Sequence, residues 1–200
     1  MPEASAAGPT AKAIPTKIIL VLGDSLSAEY GLKRGSGWVA LLQAKLQSEK
    51  LPATVINASI SGDTTSGGRS RLAALLAQHQ PTHVIIELGA NDALRGLPLQ
   101  QTEDNLNQIT QTAQKTGAKV LLIGMQMPPN YGKDYGERFA ALFARVAKAN
   151  KAALVPFLLE GIANTPESAR LFQADRLHPR EEAHPIMLTH VWTELKKILK

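Results

Sequence analysis

Residues 17–27 read KIILVLGDSLS and contain the pattern that decides the fold. The segment KIILVL (17–22) is rich in aliphatic and β-branched residues and lacks the polar alternation of a strand with one face in solvent. Such a run is typical of a parallel strand that is covered by helices on both faces. The polar segment GDSLS (23–27) follows at once, so reactive side chains stand just beyond the strand end, where we expect a helix to begin.

Four further apolar runs repeat this pattern along the chain, and each is followed by a stretch with apolar residues at helical spacing. Strands are predicted at TVINA (54–58), HVIIEL (83–88), KVLLIGM (119–125) and ALVPF (153–157), and helices at 38–47, 69–78, 101–116, 138–148 and 185–199. This alternation predicts an α/β protein, a three-layer α/β/α sandwich around a five-stranded parallel sheet. The order of the strands in the sheet cannot be derived from the periodicity.

Length and composition indicate one globular domain. The chain has 200 residues, of which 44% are hydrophobic and 20% are charged, which is ordinary for a protein with a single core. We expect residues 1–16 (MPEASAAGPTAKAIPT) to form a flexible arm and the domain to span 17–200. The arm lacks the charged and apolar regions of an intact signal peptide. No apolar run approaches the roughly 18 residues that a transmembrane helix needs, so no integral membrane segment is expected.

Composition also argues against several kinds of site and partner. The sequence has no cysteine, which excludes disulfides, Cys-ligated metals and a cysteine nucleophile. The net charge of +5 comes from thinly spread basic residues, and only 4% of residues are aromatic, so no nucleic-acid partner is expected. Asp24 and Asp92 have no evident carboxylate partner that would make either a metal ligand. We expect both to accept backbone N–H bonds within turns.

Polar segments follow the predicted strands at the edge where ligands of open α/β sheets bind. They are GDSLS (23–27), NASISGDT (57–64) and GAND (89–92), and DRLHP (175–179) precedes the last helix. Together they bring a hydroxyl, a glycine N–H, a carboxamide and a carboxylate–imidazole pair to one rim. Acyl transfer needs such a set: a nucleophile, a base oriented by an acid, and donors for the developing oxyanion.

These segments, in this order, resemble the motif blocks of the GDSL or SGNH hydrolases, and the resemblance covers residues 17–199. The SISGDT, LGAND–LRG and NYG (130–132) segments are most similar to those of the bacterial periplasmic acyl-CoA thioesterase, lysophospholipase and arylesterase group. Glu29 stands where this group usually has a small residue, and Arg176-Leu177 replaces a frequent Asp-Gly or Gly-x. These departures bear on substrate range and not on reaction class.

The resemblance implies a flavodoxin-like fold and a serine hydrolase that cleaves acyl esters and thioesters (acyl-CoA, lysophospholipids, aryl esters) through an acyl-enzyme. It makes Ser25 the nucleophile, with Asp175 and His178 as the other triad members. It assigns the oxyanion hole to the N–H groups of Ser25 and Gly62 and to the Asn91 amide. It implies no cofactor and no metal, and a periplasmic or secreted location. We also expect a monomer that acts on a small-molecule substrate.

Two histidines compete for the role of the base. His178 has Asp175 three residues before it and a proline after it, and His184 has Glu181 and a proline in the same places. The proline biases each histidine toward an extended, accessible conformation, so spacing cannot decide between them. The resemblance favours His178, and His184 is interpreted as a residue at the start of the last helix.

The substrate side of the prediction rests on apolar residues in loops near the rim. Leu97, Met127 and Tyr131 are predicted to line an acyl-binding groove, because leucine and methionine suit irregular apolar contacts. Two alternatives remain open. One is an esterase that removes O-acetyl groups from carbohydrates with the same triad. The other is a non-catalytic module that binds a phosphorylated ligand in an anion nest built from Ser25, Thr64, Thr65 and Gly67-Gly68.

Overall fold

The structure is a computed structural model that describes residues 16–200. The predicted flexible arm at 1–16 lies, apart from Thr16, outside the described residues. The strands are β1 (Lys17–Gly23), β2 (Ala53–Asn57), β3 (His83–Glu87), β4 (Lys119–Ile123) and β5 (Ala153–Val155). The helices are α1 (Trp38–Ser48), α2 (Thr65–His79), α3 (Ala90–Leu94), α4 (Leu99–Lys115), α5 (Lys133–Asn150), α6 (Ser168–Leu171) and α7 (His184–Ile198), with short 3-10 turns at Pro129–Tyr131 and Glu181–Ala183.

The predicted architecture is confirmed. The five strands form one parallel sheet in the order β2-β1-β3-β4-β5, which is the flavodoxin-like order. Helices α1 and α7 pack against each other on one face, and α2, α4 and α5 form the layer on the other. The order reverses at β1, whose neighbours are β2 and β3, so a cleft opens beyond the carboxyl ends of these strands.

The core lies between the sheet and its two helical layers. The central strands are buried almost throughout, as their continuous apolar runs predicted. Trp38, Phe139 and Phe143 are the largest fully buried side chains, and the two phenylalanines meet edge to face with ring centroids 5.2 Å apart. Among the described residues no helix combines the length and the apolar character that a membrane crossing requires.

Several predicted boundaries were wrong, among them the start of α5, which begins at Lys133 and not at 138. Strands β4 and β5 end two residues earlier than predicted, because Gly124 leaves the strand to pack on the backbone of Pro156, whose oxygen would lie 2.3 Å from a Cβ at position 124. Helix α2 begins at Thr65 and not at 69, since the Thr64 hydroxyl caps it by accepting from the Gly67 N–H. The two glycines at 67–68 had masked the helical pattern.

No helix begins at Ser25. Residues 25–32 instead form successive turns, within which Glu29 and Gly31 adopt positive φ angles of 60° and 69°. The Glu29 carboxylate then accepts from the N–H groups of Gly35 and Gly37, just before α1. This accounts structurally for the glutamate that departs from the family pattern.

Candidate active site

Ser25 and His178, the predicted nucleophile and base, are in direct contact. Ser25 follows the end of β1, and its Oγ lies 2.8 Å from Nε2 of His178, which is 153 residues away in the chain. The second ring nitrogen, Nδ1, lies 2.7 Å from Oδ2 of Asp175. Because Nδ1 faces a carboxylate, it carries the proton, and Nε2 is left free to accept the serine proton. The three side chains therefore have the geometry of a Ser-His-Asp triad.

The acid and the base lie on one short loop that is held at both of its ends. Phe172 and Pro179 form an antiparallel bridge, and the Gln173 N–H donates to the His178 carbonyl. Between them, Arg176 adopts φ +59°, which turns the chain so that Asp175 faces back toward His178.

Hydrogen bonds hold Asp175 in its ionised form. Partial burial raises the pKa of Asp175, but the N–H groups of Leu177 and His178, each 3.0 Å from Oδ1, together with the His178 ring, outweigh it and lower the pKa to about 2. The carboxylate is thus charged throughout the pH range in which an imidazole base works, and it can stabilise the imidazolium.

The predicted oxyanion donors are the N–H groups of Ser25 and Gly62 and the side-chain amide of Asn91. The Asn91 Nδ2 atom donates to Oδ2 of Asp24 and to the Asp63 carbonyl, both at 3.0 Å, so it bridges the residues that precede Ser25 and follow Gly62. Both neighbours are acceptors, which fixes the amide with its NH₂ group facing them. Within residues 16–200 the N–H groups of Ser25 and Gly62 have no protein acceptor. They are therefore available to a developing oxyanion.

The Gly62 turn depends on its glycine and on a nearby arginine. Gly62 has φ +80°, a conformation that residues with a side chain rarely adopt. The Arg95 guanidinium donates to its carbonyl oxygen at 2.8 Å, which ties the LRG segment to the SISGDT turn. As expected, Asp24 and Asp92 accept backbone N–H bonds, Asp24 from Leu26 at 3.0 Å and Asp92 from Thr65 at 2.9 Å.

A cavity of about 690 Å³ opens at the triad. Besides Ser25 and His178 its lining is largely apolar and includes Leu94, Met125, Met127, Phe157 and Phe172. Met127, one of the three predicted groove residues, lines the cavity. Leu97 and Tyr131 are not part of the lining. The turn at Gly96 leaves Leu94 in the wall in place of Leu97, and Tyr131 stands 39% exposed in its 3-10 turn.

The competing histidine has a structural role. His184 begins α7, as predicted, but it is 2% exposed, and the expectation of an accessible, extended residue was wrong. Proline at the second helical position is compatible with a helix start, so it did not prevent helical geometry. The Nδ1 atom accepts from the Trp38 N–H at 3.0 Å, at the start of α1. Burial lowers the pKa of His184, partly offset by a hydrogen bond with the Pro179 backbone and by the charges of Glu29 and Glu181.

The proposed anion nest is already occupied by protein groups. The Thr65 N–H donates to Asp92, the Gly67 N–H to the Thr64 hydroxyl, and the Gly68 N–H to the Thr64 carbonyl. These donors are not available to a phosphate, so the geometry disfavours the phospholigand-binding module. No cluster of three or more side chains that could hold a metal occurs in residues 16–200.

Two residues near the triad were not found by sequence reasoning. The Tyr30 ring lies against the His178 ring, with centroids 4.4 Å apart and planes tilted by 40°, and it is 50% exposed. Its position five residues after Ser25 in an aromatic-poor chain was the available signal. Glu87 ends β3 with no exposed surface, directly beside Asp24. A lone carboxylate at the end of a buried apolar strand was the signal there.

Comparison with known proteins agrees with this geometry. The model of the GDSL-like lipase/acylhydrolase family matches residues 21–186. Esterase TesA of Pseudomonas aeruginosa is 50% identical over 90% of this chain and 89% of its own length. Thioesterase 1/protease 1/lysophospholipase L1 of Escherichia coli is 42% identical over 95% of this chain and 88% of its own. A crystal structure of TesA superposes with a TM-score of 0.88 and 49% identity, covering 92% of this chain and all (100%) of that one. The protein thus belongs to the GDSL-like lipase/acylhydrolase family.

Proposed function

We propose that this serine hydrolase cleaves acyl esters and thioesters, among them acyl-CoA, lysophospholipids and aryl esters, through an acyl-enzyme on Ser25. The observation that carries the proposal is the continuous contact from Ser25 Oγ to His178 Nε2 at 2.8 Å and from Nδ1 to Asp175 at 2.7 Å. The names of the related esterases and thioesterases support the choice of substrates.

The mechanism follows from the hydrogen-bond directions. His178 Nε2 takes the Ser25 proton as Oγ attacks the acyl carbonyl carbon, and the carbonyl oxygen becomes an oxyanion. His178 then gives this proton to the departing alcohol or thiol, which leaves an acyl ester on Ser25. Water, deprotonated by the same imidazole, attacks the ester and releases the acid. Asp175, ionised at any working pH, holds the imidazole in the required tautomer throughout.

The oxyanion is proposed to be bound by the N–H groups of Ser25 and Gly62 and by the Asn91 amide. The first two have no competing acceptor among the described residues, whereas both Asn91 hydrogens are already directed to Asp24 and Asp63. The oxyanion must therefore share or displace one of the Asn91 bonds. Removing one such donor costs on the order of 10²–10³ in rate in other enzymes.

The cavity supports acyl chains over acetyl groups. Its volume of about 690 Å³ falls in the range of pockets that enclose whole small ligands, and an acetyl group would leave most of its apolar wall uncovered. Met125, Met127 and Phe157 provide flexible and aromatic surface for a hydrocarbon.

Labelling and variants test the nucleophile and the base. A fluorophosphonate probe should label Ser25, identified by peptide mass spectrometry. Ser25→Ala and His178→Ala should abolish hydrolysis of a p-nitrophenyl ester, while His184→Ala should retain it in the folded fraction. Labelling elsewhere, or full activity of Ser25→Ala, would contradict the proposal.

A chain-length series tests the substrate class. The value of kcat/KM should rise from acetyl to octanoyl esters and thioesters, since each added methylene gains burial in the cavity. A monotonic fall along the series would instead favour acetyl substrates.

We also propose that the enzyme is a monomer and that it acts in the periplasm or is secreted, which the resemblance to the periplasmic group supports. Sedimentation velocity and fractionation of the native host test these two statements.

A further inference from the structure

We propose that Asp24 and Glu87 form a carboxyl pair that shares one proton at neutral pH and that positions the Ser25 turn and the Asn91 amide. Glu87 acts in this pair as a neutral carboxylic acid and is a positioning residue, because it touches neither substrate nor reacting atoms. The effect expected on catalysis rests on the proposed function of Ser25. The protonation of Glu87 does not depend on that function.

The geometry brings two acids together behind the nucleophile. Glu87 lies opposite Gly23 in the β1–β3 register, and its Oε2 accepts from the Ser27 hydroxyl at 2.7 Å and from the Asp24 N–H at 3.3 Å. Asp24 directs Oδ1 to the Leu26 N–H and Oδ2 to the Asn91 amide. The side chains of this pair thus contact both neighbours of Ser25 and one oxyanion donor.

Among the described residues, one of the four carboxylate oxygens of this pair has no donor. Asp24 is 1% exposed and Glu87 has no exposed surface, so water does not solvate either. Each oxygen of Asp24 accepts a bond, whereas Oε1 of Glu87 is buried and has no partner within residues 16–200. A second buried anion with this acceptor unpaired would cost several kcal/mol, whereas a proton on Glu87 removes that charge and supplies the side-chain hydrogen bond between the two carboxyl groups.

No cation nearby offsets a second charge. The titratable side chains around the pair in the described structure are the imidazole of His178, across the Ser25 turn, and the guanidinium of Arg71, which donates to the Gly23 carbonyl. Arg71 is already in an ion pair with Asp63, and the His178 ring is hydrogen-bonded to Asp175. Asp92, the next carboxylate along the rim, accepts hydrogen bonds from the N–H and the hydroxyl group of Thr65.

The direction of the titration agrees with this arrangement. Burial, and next the charge of Asp24, raise the pKa of Glu87 well above its ordinary value. Burial raises the pKa of Asp24 to about 6, although the hydrogen bonds from Leu26, Glu87 and Asn91 and the charge of His178 lower it. Above pH 6 the pair therefore retains one proton, as expected for two close carboxyl groups of which one stays neutral.

The pair links the interior of the sheet to the oxyanion hole. An ionised Asp24 accepts from Leu26 and Asn91 and so fixes both the nucleophile turn and the amide. A protonated Glu87 donates to Asp24 and keeps this acceptor in place. Loss of the Glu87 carboxyl should therefore lower kcat by about 10²-fold, the cost of a small misplacement of reacting groups, while KM changes little.

The experiment compares Glu87→Gln with Glu87→Ala, and with Glu182→Gln as a matched control at an exposed position. Glutamine mimics a neutral carboxylic acid, since its NH₂ group can donate to Asp24. We expect Glu87→Gln to keep kcat within about threefold of the unmodified enzyme, whereas Glu87→Ala loses about 10²-fold. If Glu87→Ala does not fold, Glu87→Met, which preserves volume, takes its place.

The pH dependence of unfolding tests the proton directly and requires no activity. Glu87 is protonated in the folded state and ionised in the unfolded chain, so stability is lost as pH rises toward its folded pKa. Relative to Glu87→Gln, the unfolding equilibrium constant of the unmodified protein should rise about tenfold per pH unit above pH 6. The Glu182→Gln control should follow the unmodified protein across this range.

Two results would overturn the proposal. One is a ratio of unfolding constants that does not change with pH above 6, which would mean that Glu87 is ionised when folded. The other is a Glu87→Gln enzyme as impaired as Glu87→Ala. An active Ser25→Ala enzyme would refute the proposed function alone and leave the pH slope of unfolding intact, so the two failures are distinguishable.

Discussion

Replacing His184 separates the two histidines that share the same local spacing. In His184→Ala the Trp38 N–H loses its acceptor at the start of α1 in a fully packed region. Such an orphaned donor costs about 1–3 kcal/mol, and the cavity left by the ring adds to this, so we expect a loss of about 2–4 kcal/mol. For a chain of this length each kcal/mol of lost unfolding free energy lowers Tm by roughly 2–4 °C, which predicts a fall in Tm of about 5–15 °C.

The two replacements should have opposite effects: His184→Ala lowers stability and keeps activity, whereas His178→Ala loses activity and keeps stability. Below its lowered Tm, His184→Ala should keep kcat within about threefold, whereas His178→Ala should lose at least about 10⁴-fold with an unchanged Tm. The assays are thermal unfolding by circular dichroism and p-nitrophenyl ester hydrolysis, normalised to the amount of folded protein measured by circular dichroism. A folded but inactive His184→Ala, or an active His178→Ala, would refute the assignment.

The pH dependence gives an independent check on His184. Its Nδ1 accepts a bond and must stay unprotonated in the folded state, and burial lowers its pKa. A lowered pKa means that the unfolded chain binds the proton first, so stability falls as pH drops below about 6.5. His184→Asn keeps an acceptor without a titrating ring, and its stability should fall less steeply than that of the unmodified protein between pH 7 and 5. Equal slopes would mean that His184 has the same pKa in the folded and unfolded states.

Three other outcomes are expected. Asp175→Asn should lower kcat about 10⁴-fold, because it favours the wrong imidazole tautomer. The pKa of Asp175 is lowered to about 2, so a decrease of kcat/KM that begins above pH 4 on the acid side of the profile cannot come from this residue. In Gly62→Ala the new Cβ would meet the Arg95 guanidinium only at an ordinary contact distance of 3.5 Å, but the residue must adopt φ +80°. The variant should therefore lose about 1–3 kcal/mol of stability in chemical unfolding and react more slowly with fluorophosphonate. Met127→Ala should reduce kcat/KM for octanoyl more than for acetyl esters, whereas Tyr131→Ala, outside the cavity lining, should reduce both equally or neither.

The sequence predicted the features that depend on local patterns. Apolar runs such as 17–22 and 83–88 identify buried strands because both faces of the sheet are covered, and the motif blocks identify Ser25, His178 and Asp175. The contact between positions 25 and 178 then follows from the fold, since residues at the carboxyl edge of the sheet face one cleft.

The features that sequence reasoning missed depend on packing between distant elements. The burial of His184 is set by the approach of α7 to α1, which no pattern near residue 184 encodes. Leu97 and Tyr131 were assigned to the groove because they are apolar and near the rim, but the turn at Gly96 and the 3-10 turn at Pro129–Tyr131 decide which side chains reach the wall. The shared proton of Asp24 and Glu87 requires both burial and proximity, and neither is evident from two isolated carboxylates.

The loop between Phe172 and Pro179 has a consequence for how this enzyme can diversify. The bridge between Phe172 and Pro179 closes this loop, and the acid and the base both lie inside it. Their orientation relative to each other is therefore set by the loop alone. The cavity-forming segments around Met127 can therefore change, in evolution or by engineering, without altering the hydrogen bond between Asp175 and His178. Conversely, a graft of residues 172–179 between homologues should carry the acid–base couple intact, leaving its distance from the recipient's serine as the one quantity to be tuned.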